Sequence, residues 1–210
     1  MIRILGIRVD EYDMRQSLDL IEAFIAGETT ARQVVTVNPE GIWLARGNRA
    51  LAAVVEQAAL VTPDGNGVLW AARQLKHPLP ARVTGIDLLE QLAARAAARG
   101  WRLYFLGARP GVAERAAAVL QARYPGLTVA GCDDGYFRHR EAAAIAGVRE
   151  ARPDILFAAL GMPYQELWLH QHGAELGAKL MIGVGGSFDV LAGLVRRAPP
   201  VMRRLKLEWL

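Results

Sequence analysis

The chain has 210 residues, 52% apolar and 22% charged, a balance that suits one folded domain and excludes a disordered or low-complexity polypeptide. A lone cysteine, Cys132, excludes a disulfide framework and a cysteine-held metal cluster, and no uncharged apolar run reaches the ~18 residues that span a bilayer. The net charge of +4 sits in one place: Arg196, Arg197, Arg203, Arg204 and Lys206 stand against Glu208 in residues 196–210, and the preceding chain is neutral overall. Such a tail points to an anionic partner.

In chain order, residues 2–9 alternate loosely and predict an opening strand or small hairpin. Arg3, Arg8 and Asp10 interrupt this start, so no secretory signal is expected. Ser17 is the expected cap of a helix to about Ala26, ended by Gly27. Residues 33–37 form the first core strand. Pro39 opens a helix stopped by Gly47, and Asn48 caps a second, to Ala58. A strand over 59–61 and a helix over 68–75 follow. Thr84 is the expected cap of a helix to Arg99, before a strand over 101–106. Pro110 starts a helix to Arg123, and residues 128–131 are the next strand. A helix over 141–151, a strand over 155–160, a helix from about Met162, a strand over 179–184 and a short helix to Gly193 complete the series. His170 and His172 fall in a helical pattern, where that spacing does not face both imidazoles one way, so no metal is expected there.

Strands alternating with helices of this length imply an α/β, Rossmann-like fold, with a mainly parallel sheet covered by helices on both faces. The expected organisation is one domain over 1–195 and a short basic C-terminal appendage over 196–210.

Two strand ends carry polar groups. Val34-Val35-Thr36-Val37 runs into Asn38-Pro39, and Leu60-Val61 runs into Thr62-Pro63-Asp64-Gly65-Asn66-Gly67. Proline and glycine allow neither strand nor helix to continue there, so Asp64 is held at a chain reversal. Ligands of open α/β sheets sit outside the carboxyl ends of the strands, so two polar ends in succession suggest a lined pocket.

These segments fall in one order with Arg82-Val83-Thr84-Gly85, Leu106-Gly107, Gly161-Met162-Pro163-Tyr164-Gln165-Glu166 and Gly183-Val184-Gly185-Gly186-Ser187-Phe188-Asp189. The series resembles the WecG/TagA/CpsF family of bacterial glycosyltransferases along nearly the whole chain. That resemblance implies inverting transfer of a sugar, of N-acetylmannosamine type or related, from a UDP-sugar to an undecaprenyl-diphosphate-linked saccharide in cell-surface polysaccharide biosynthesis. It implies a peripheral enzyme on the cytoplasmic face of the membrane, and self-association. By position, Asp64 matches the family's general base and Arg82 its essential arginine. Thr36, Asn38 and Gln165 match its pocket-lining polar residues, with Asn66 beside them, and the loop from Gly185 to Asp189 matches the region that meets the nucleotide. The family continues past Trp209 with an arginine-bearing tail, whereas this sequence stops at Leu210.

Chemistry adds further expectations. Gly185, Gly186 and Ser187, placed before a helix, can offer backbone N–H groups to phosphate. Gly107 opens a second such loop, Asp133 and Asp134 can meet ribose hydroxyls, and Tyr136 can stack on a base. Asp133 and Asp134 are adjacent, not spaced as a metal-binding pair, so no metal or other cofactor is expected beyond the UDP-sugar donor. Arg82 is then the cation for the departing diphosphate, and Arg196, Arg197, Arg203 and Arg204 can serve the diphosphate or an anionic membrane surface. Basic charge without interleaved aromatics does not suggest nucleic acid. Two alternatives stay open: an NAD- or S-adenosylmethionine-dependent enzyme, for which Gly107-Ala108-Arg109-Pro110-Gly111 is a poor fingerprint, and a non-catalytic membrane-associated scaffold.

Overall fold

The computed structural model describes residues 1–27 and 31–196. The expectations placed on Arg197, Arg203 and Arg204 therefore lie outside the described residues.

The opening hairpin pairs β1 (Ile2–Ile4) with β2 (Ile7–Val9) in antiparallel register. Its four outer apolar residues, Ile2, Ile4, Ile7 and Val9, are buried, and Asp10 then ties it to the main sheet by accepting from the Val61 amide at 2.9 Å. Helix α1 (Met14–Ala26) begins earlier than expected. Asp13, not Ser17, caps it, and Gln16 completes a reciprocal capping box. Ser17 is buried inside the first turns. Both residues are good caps by type; Gln16, three places after Asp13, was the signal that separates them.

Six strands form a parallel sheet in the order β4-β3-β8-β7-β5-β6. They are β3 (Arg32–Val37), β4 (Leu60–Pro63), β5 (Arg102–Gly107), β6 (Thr128–Asp133), β7 (Ile155–Ala159) and β8 (Leu180–Gly183). Period-two alternation sends successive side chains to opposite faces. Val34, Phe105, Phe157 and Ile182 pack under α1, α5 (Gly85–Arg99), α6 (Val112–Arg123) and α9 (Ser187–Leu191). Val35, Val37 and Val61 face α2 (Pro39–Gly47), α3 (Arg49–Gln57) and α4 (Asn66–Gln74), while Tyr104, Leu156 and Met181 face α7 (Glu141–Ala151) and α8 (Tyr164–Leu176). Residues buried on both faces explain why the strands read as continuous apolar runs.

Close packing accounts for Gly107. Its φ is +130°, and a Cβ there would lie 2.4 Å from the Ala159 carbonyl oxygen, so β5 and β7 can meet only at a residue without a side chain.

Chain order reverses along the sheet. The strand pair β3–β4 grows toward one edge, the pair β5–β6 forms the other, and β7 and β8 return to fill the centre. The carboxyl ends of β3, β4, β7 and β8 thus converge on one rim, next to the first turn of α5.

Candidate active site

The Asp64 backbone is fixed before its side chain is considered. Its amide donates to the Val37 carbonyl at 2.8 Å, and the Pro63 carbonyl beside it accepts from Val83 at 2.9 Å. Gly65 follows with φ +100°, a conformation that favours glycine and turns the chain into α4. The carboxylate then accepts from the Gly85 amide at 3.1 Å. Gly85 is the first residue of α5, and Thr84 caps that helix by accepting from the Asp87 amide. A negative group at the start of a 15-residue helix meets unpaired N–H donors and the positive end of the helix dipole. Asp64 and Gly85 are 21 residues apart in sequence, and the bond from the Val83 amide to the Pro63 carbonyl holds the segment before α5 against the end of β4.

Asp64 stands on a wall common to two cavities. One, of about 250 Å³, is lined by Thr36, Asn38, Glu40, Gly41, Leu44, Met162, Gln165 and Gly185. The other, of about 470 Å³, is lined by Gly65, Arg82, Thr84, Ile86, Ser187, Asp189 and Val190. Val184 and Gly186 border both, as Asp64 does. A third cavity of about 230 Å³ touches Asp189 on its far side and is lined by Ala108, Arg109, Gly135, Tyr136 and Leu160. The three form a run along the carboxyl rim of the sheet. A larger cavity, about 570 Å³, opens at the opposite rim around Arg32, Gln33, Ala59 and Lys179. Size does not decide between them, because the strand ends that carry the expected polar groups are all at the first rim.

The first cavity brings together Thr36, Asn38, Asp64 and Gln165, but their polar atoms are already partly engaged. Thr36 Oγ1 donates to the Gly183 carbonyl at 3.3 Å. Asn38 Oδ1 accepts from the Gly41 amide at 2.7 Å and so caps α2, which leaves the amide N–H₂ as its group for a ligand. Gln165 is only 3% exposed; its Oε1 accepts from Leu160, Gly161 and Gly185 amides, and its Nε2 donates to Glu166. Asn66 opens α4 next to the site, and Gly65, not Asn66, lines the second cavity.

Around Arg82 the character changes. The second cavity combines its guanidinium with Asp189, whose carboxylate also lies 3.5 Å from Arg109. Of the three amides expected to form an anion nest, Gly185 donates to Gln165 and Ser187 donates to Val184 at 3.2 Å. The Ser187 hydroxyl also donates to the Val184 carbonyl. The loop is therefore held together largely by its own donors. Gly107 is spent on strand packing, and its neighbour Ala108 reaches the third cavity instead. Tyr136, 63% exposed, stands at the mouth of that cavity.

Asp133 and Asp134 hold Arg140 at 2.6 and 3.2 Å, a part-buried clamp at the end of β6 that the sequence did not signal. Burial pushes the Cys132 thiol up to about 11, so it is protonated at neutral pH and unsuited to nucleophilic attack. Among the described residues no group of three His, Cys, Asp or Glu side chains is gathered as a metal site, and no helix is long and apolar enough to cross a membrane. Glu40, Gly41, Leu44 and Met162 were not expected in the site. Gly41 had a signal, since a Cβ there would meet Met162 Sδ at 2.4 Å, but only structure supplies that neighbour.

Residues 2–210 match the Glycosyl transferase WecG/TagA/CpsF family. The chain is 35% identical over its full length to the N-acetylglucosaminyldiphosphoundecaprenol N-acetyl-beta-D-mannosaminyltransferase of Staphylococcus aureus strain MRSA252, and covers 82% of that protein. It is 34% identical, with the same coverage, to the enzyme of the same name from strain NCTC 8325 / PS 47. With the family matched from end to end and the strand-end site in place, the chain belongs to the WecG/TagA/CpsF family of glycosyltransferases.

Proposed function

We propose that this enzyme transfers an N-acetylmannosamine-type sugar, with inversion, from a UDP-sugar to a saccharide carried on undecaprenyl diphosphate. The observation that carries the reading is the position of Asp64 on the wall between one cavity lined by Thr36 and Asn38 and another lined by Arg82. The acceptor sugar occupies the first, where Thr36 and the Asn38 amide meet its hydroxyls. Asp64 takes the proton from the attacking hydroxyl as its oxygen bonds to the anomeric carbon of the donor. The bond from that carbon to the β-phosphate oxygen breaks on the opposite face, and UDP leaves with the electron pair. Arg82 meets the charge that develops on the diphosphate, as fixed cationic donors do in other transfer reactions. The nucleoside extends past Asp189 toward Tyr136, where the ring offers a stacking face.

An acceptor held in lipid requires the protein to work at a membrane surface. Exposed Leu194 and Val195 lead into the basic C-terminal segment, and a cluster of arginines near an anionic leaflet contributes about 1 kcal/mol per charge. This supports reversible, peripheral attachment on the side where nucleotide sugars are available. The test of the reaction is mass spectrometry of a short-chain prenyl-diphosphate-linked N-acetylglucosamine after incubation with a panel of UDP-sugars. Addition of one N-acetylhexosamine from UDP-N-acetylmannosamine is the expected result. No product with any UDP-sugar, alongside a thermal shift with NAD or S-adenosylmethionine, would replace this reading with a different chemistry.

A further inference from the structure

Gln165 is surrounded in a way that leaves its amide one orientation. Three backbone N–H groups, from Leu160, Gly161 and Gly185, lie 3.2–3.3 Å from one end, so the oxygen must be there. At the other end Nε2 donates to Glu166 Oε1 at 2.7 Å. Glu166 is fully buried, and its remaining oxygen, Oε2, has no hydrogen-bond partner. Its own carbonyl accepts from Gln33 Nε2 at 3.0 Å, which ties the start of α8 to β3. A Cβ on Gly183 would lie 2.5 Å from Gln165 Nε2 and 2.7 Å from Glu166 Oε1, so β8 runs directly over the pair.

Burying a carboxyl with one oxygen unsatisfied is costly, and burial pushes this one up to about 7 against the bond from Gln165. Filling space in a helix next to a sheet calls for an apolar residue, not this one. What the carboxylate uniquely supplies is an acceptor at the Nε2 end of Gln165. The amides it thereby orients against Gln165 Oε1 belong to the loops after β7 and β8, and Gly185 and Met162 in those loops wall the cavity of Asp64 and Asn38.

We propose that Glu166 is a positioning residue: by accepting from Gln165 it sets the amide that clamps the β7 and β8 end loops, and so fixes the shape of the acceptor cavity. This rests on the functional reading above only for its effect on turnover; the clamp itself can be read without turnover. Glu166 does not touch substrate.

The test reverses the polarity of the bond, at about pH 8, where the Glu166 carboxyl is mostly ionised. Gln165→Glu sets two carboxylates against each other, whereas the double variant Gln165→Glu with Glu166→Gln remakes the same bond with donor and acceptor exchanged. The Gly161 and Gly185 amides are followed by hydrogen exchange, and kcat is measured in parallel with melting temperature to confirm folding. Expected for Gln165→Glu is faster exchange at both amides and a loss of roughly 10–100-fold in kcat, the range for a buried polar pair left unsatisfied. Expected for the double variant is restored protection at both amides. Unchanged exchange in Gln165→Glu, or a double variant whose amides exchange as fast as the single's, overturns the proposal. Restored protection with no turnover by wild type on any UDP-sugar supports the clamp and fails the functional reading instead.

Discussion

The two cavities that meet at Asp64 are built on different principles. On the Asn38 side the polar groups other than Glu40 and the shared Asp64 are neutral and already serve the protein: Asn38 caps α2, Thr36 bonds to β8, and Gln165 clamps two loops. On the Arg82 side the lining carries full charges, from Arg82 and Asp189, with Arg109 at 3.5 Å from the latter. A hydroxyl-rich acceptor needs shape and a few well-placed neutral contacts, which atoms fixed by prior bonds supply without further ordering cost. A departing diphosphate needs charge that is present before the reaction begins. The difference teaches which side should fail by loss of charge and which by loss of shape.

Of the two sides, the charged one should show the larger effect. Arg82→Ala should lower kcat by about 10²–10³-fold, as removal of a fixed donor to a developing anion does, with a smaller change in acceptor KM. Equal kinetics in the variant would remove Arg82 from the scheme and erase the contrast.

Next comes the brace behind the neutral side. The Glu166 carboxyl is raised from its ordinary value to about 7 by burial, so the folded chain holds a proton that the unfolded chain gives up at lower pH. Stability should therefore fall as pH rises from about 4.5 to about 7 and stay level above that, a change of about 3 kcal/mol for this group. Glu166→Gln should flatten that slope in denaturant titrations at acid and mildly alkaline pH. An unchanged slope would mean that Glu166 does not titrate as its burial demands.

The smallest effect separates capping from recognition. Asn38→Ser keeps a side-chain oxygen for the Gly41 amide but removes the N–H₂ donor. Its stability should stay within about 1 kcal/mol of wild type while acceptor KM rises roughly 2–10-fold, the range for one neutral hydrogen bond. A large fall in stability with no change in KM would make Asn38 a cap alone.

Much of this arrangement was legible in the chain because it rests on local chemistry. β3 ends before Asn38-Pro39 where expected, although β4 runs through Thr62 and Pro63, two residues past the expected end; Asn38 and Thr84 cap the helices assigned to them, and the βαβ rhythm gives a parallel sheet. What could not be read is how the strand ends pair with one another. Asp64 meets Gly85, Gln165 meets Gly185, and Gly41 meets Met162 across loops at one rim of the sheet, and these contacts depend on the strand order as a whole. The glycine-rich loop shows the same limit. Its composition suits an anion nest, yet two of its amides are claimed by Gln165 and Val184, partners that composition does not reveal. Glu166 was visible as a residue of a motif, but its burial depends on β8 crossing over it.

Asp64→Asn is the most direct test of the central claim, because it keeps the size of the side chain and an oxygen for the Gly85 amide while removing the base. Steady-state turnover of UDP-N-acetylmannosamine and a lipid-diphosphate acceptor should be measured beside calorimetric binding of UDP. The account predicts that kcat falls by about 10²–10⁴-fold with UDP affinity within about twofold of wild type. Wild-type turnover by Asp64→Asn would contradict it.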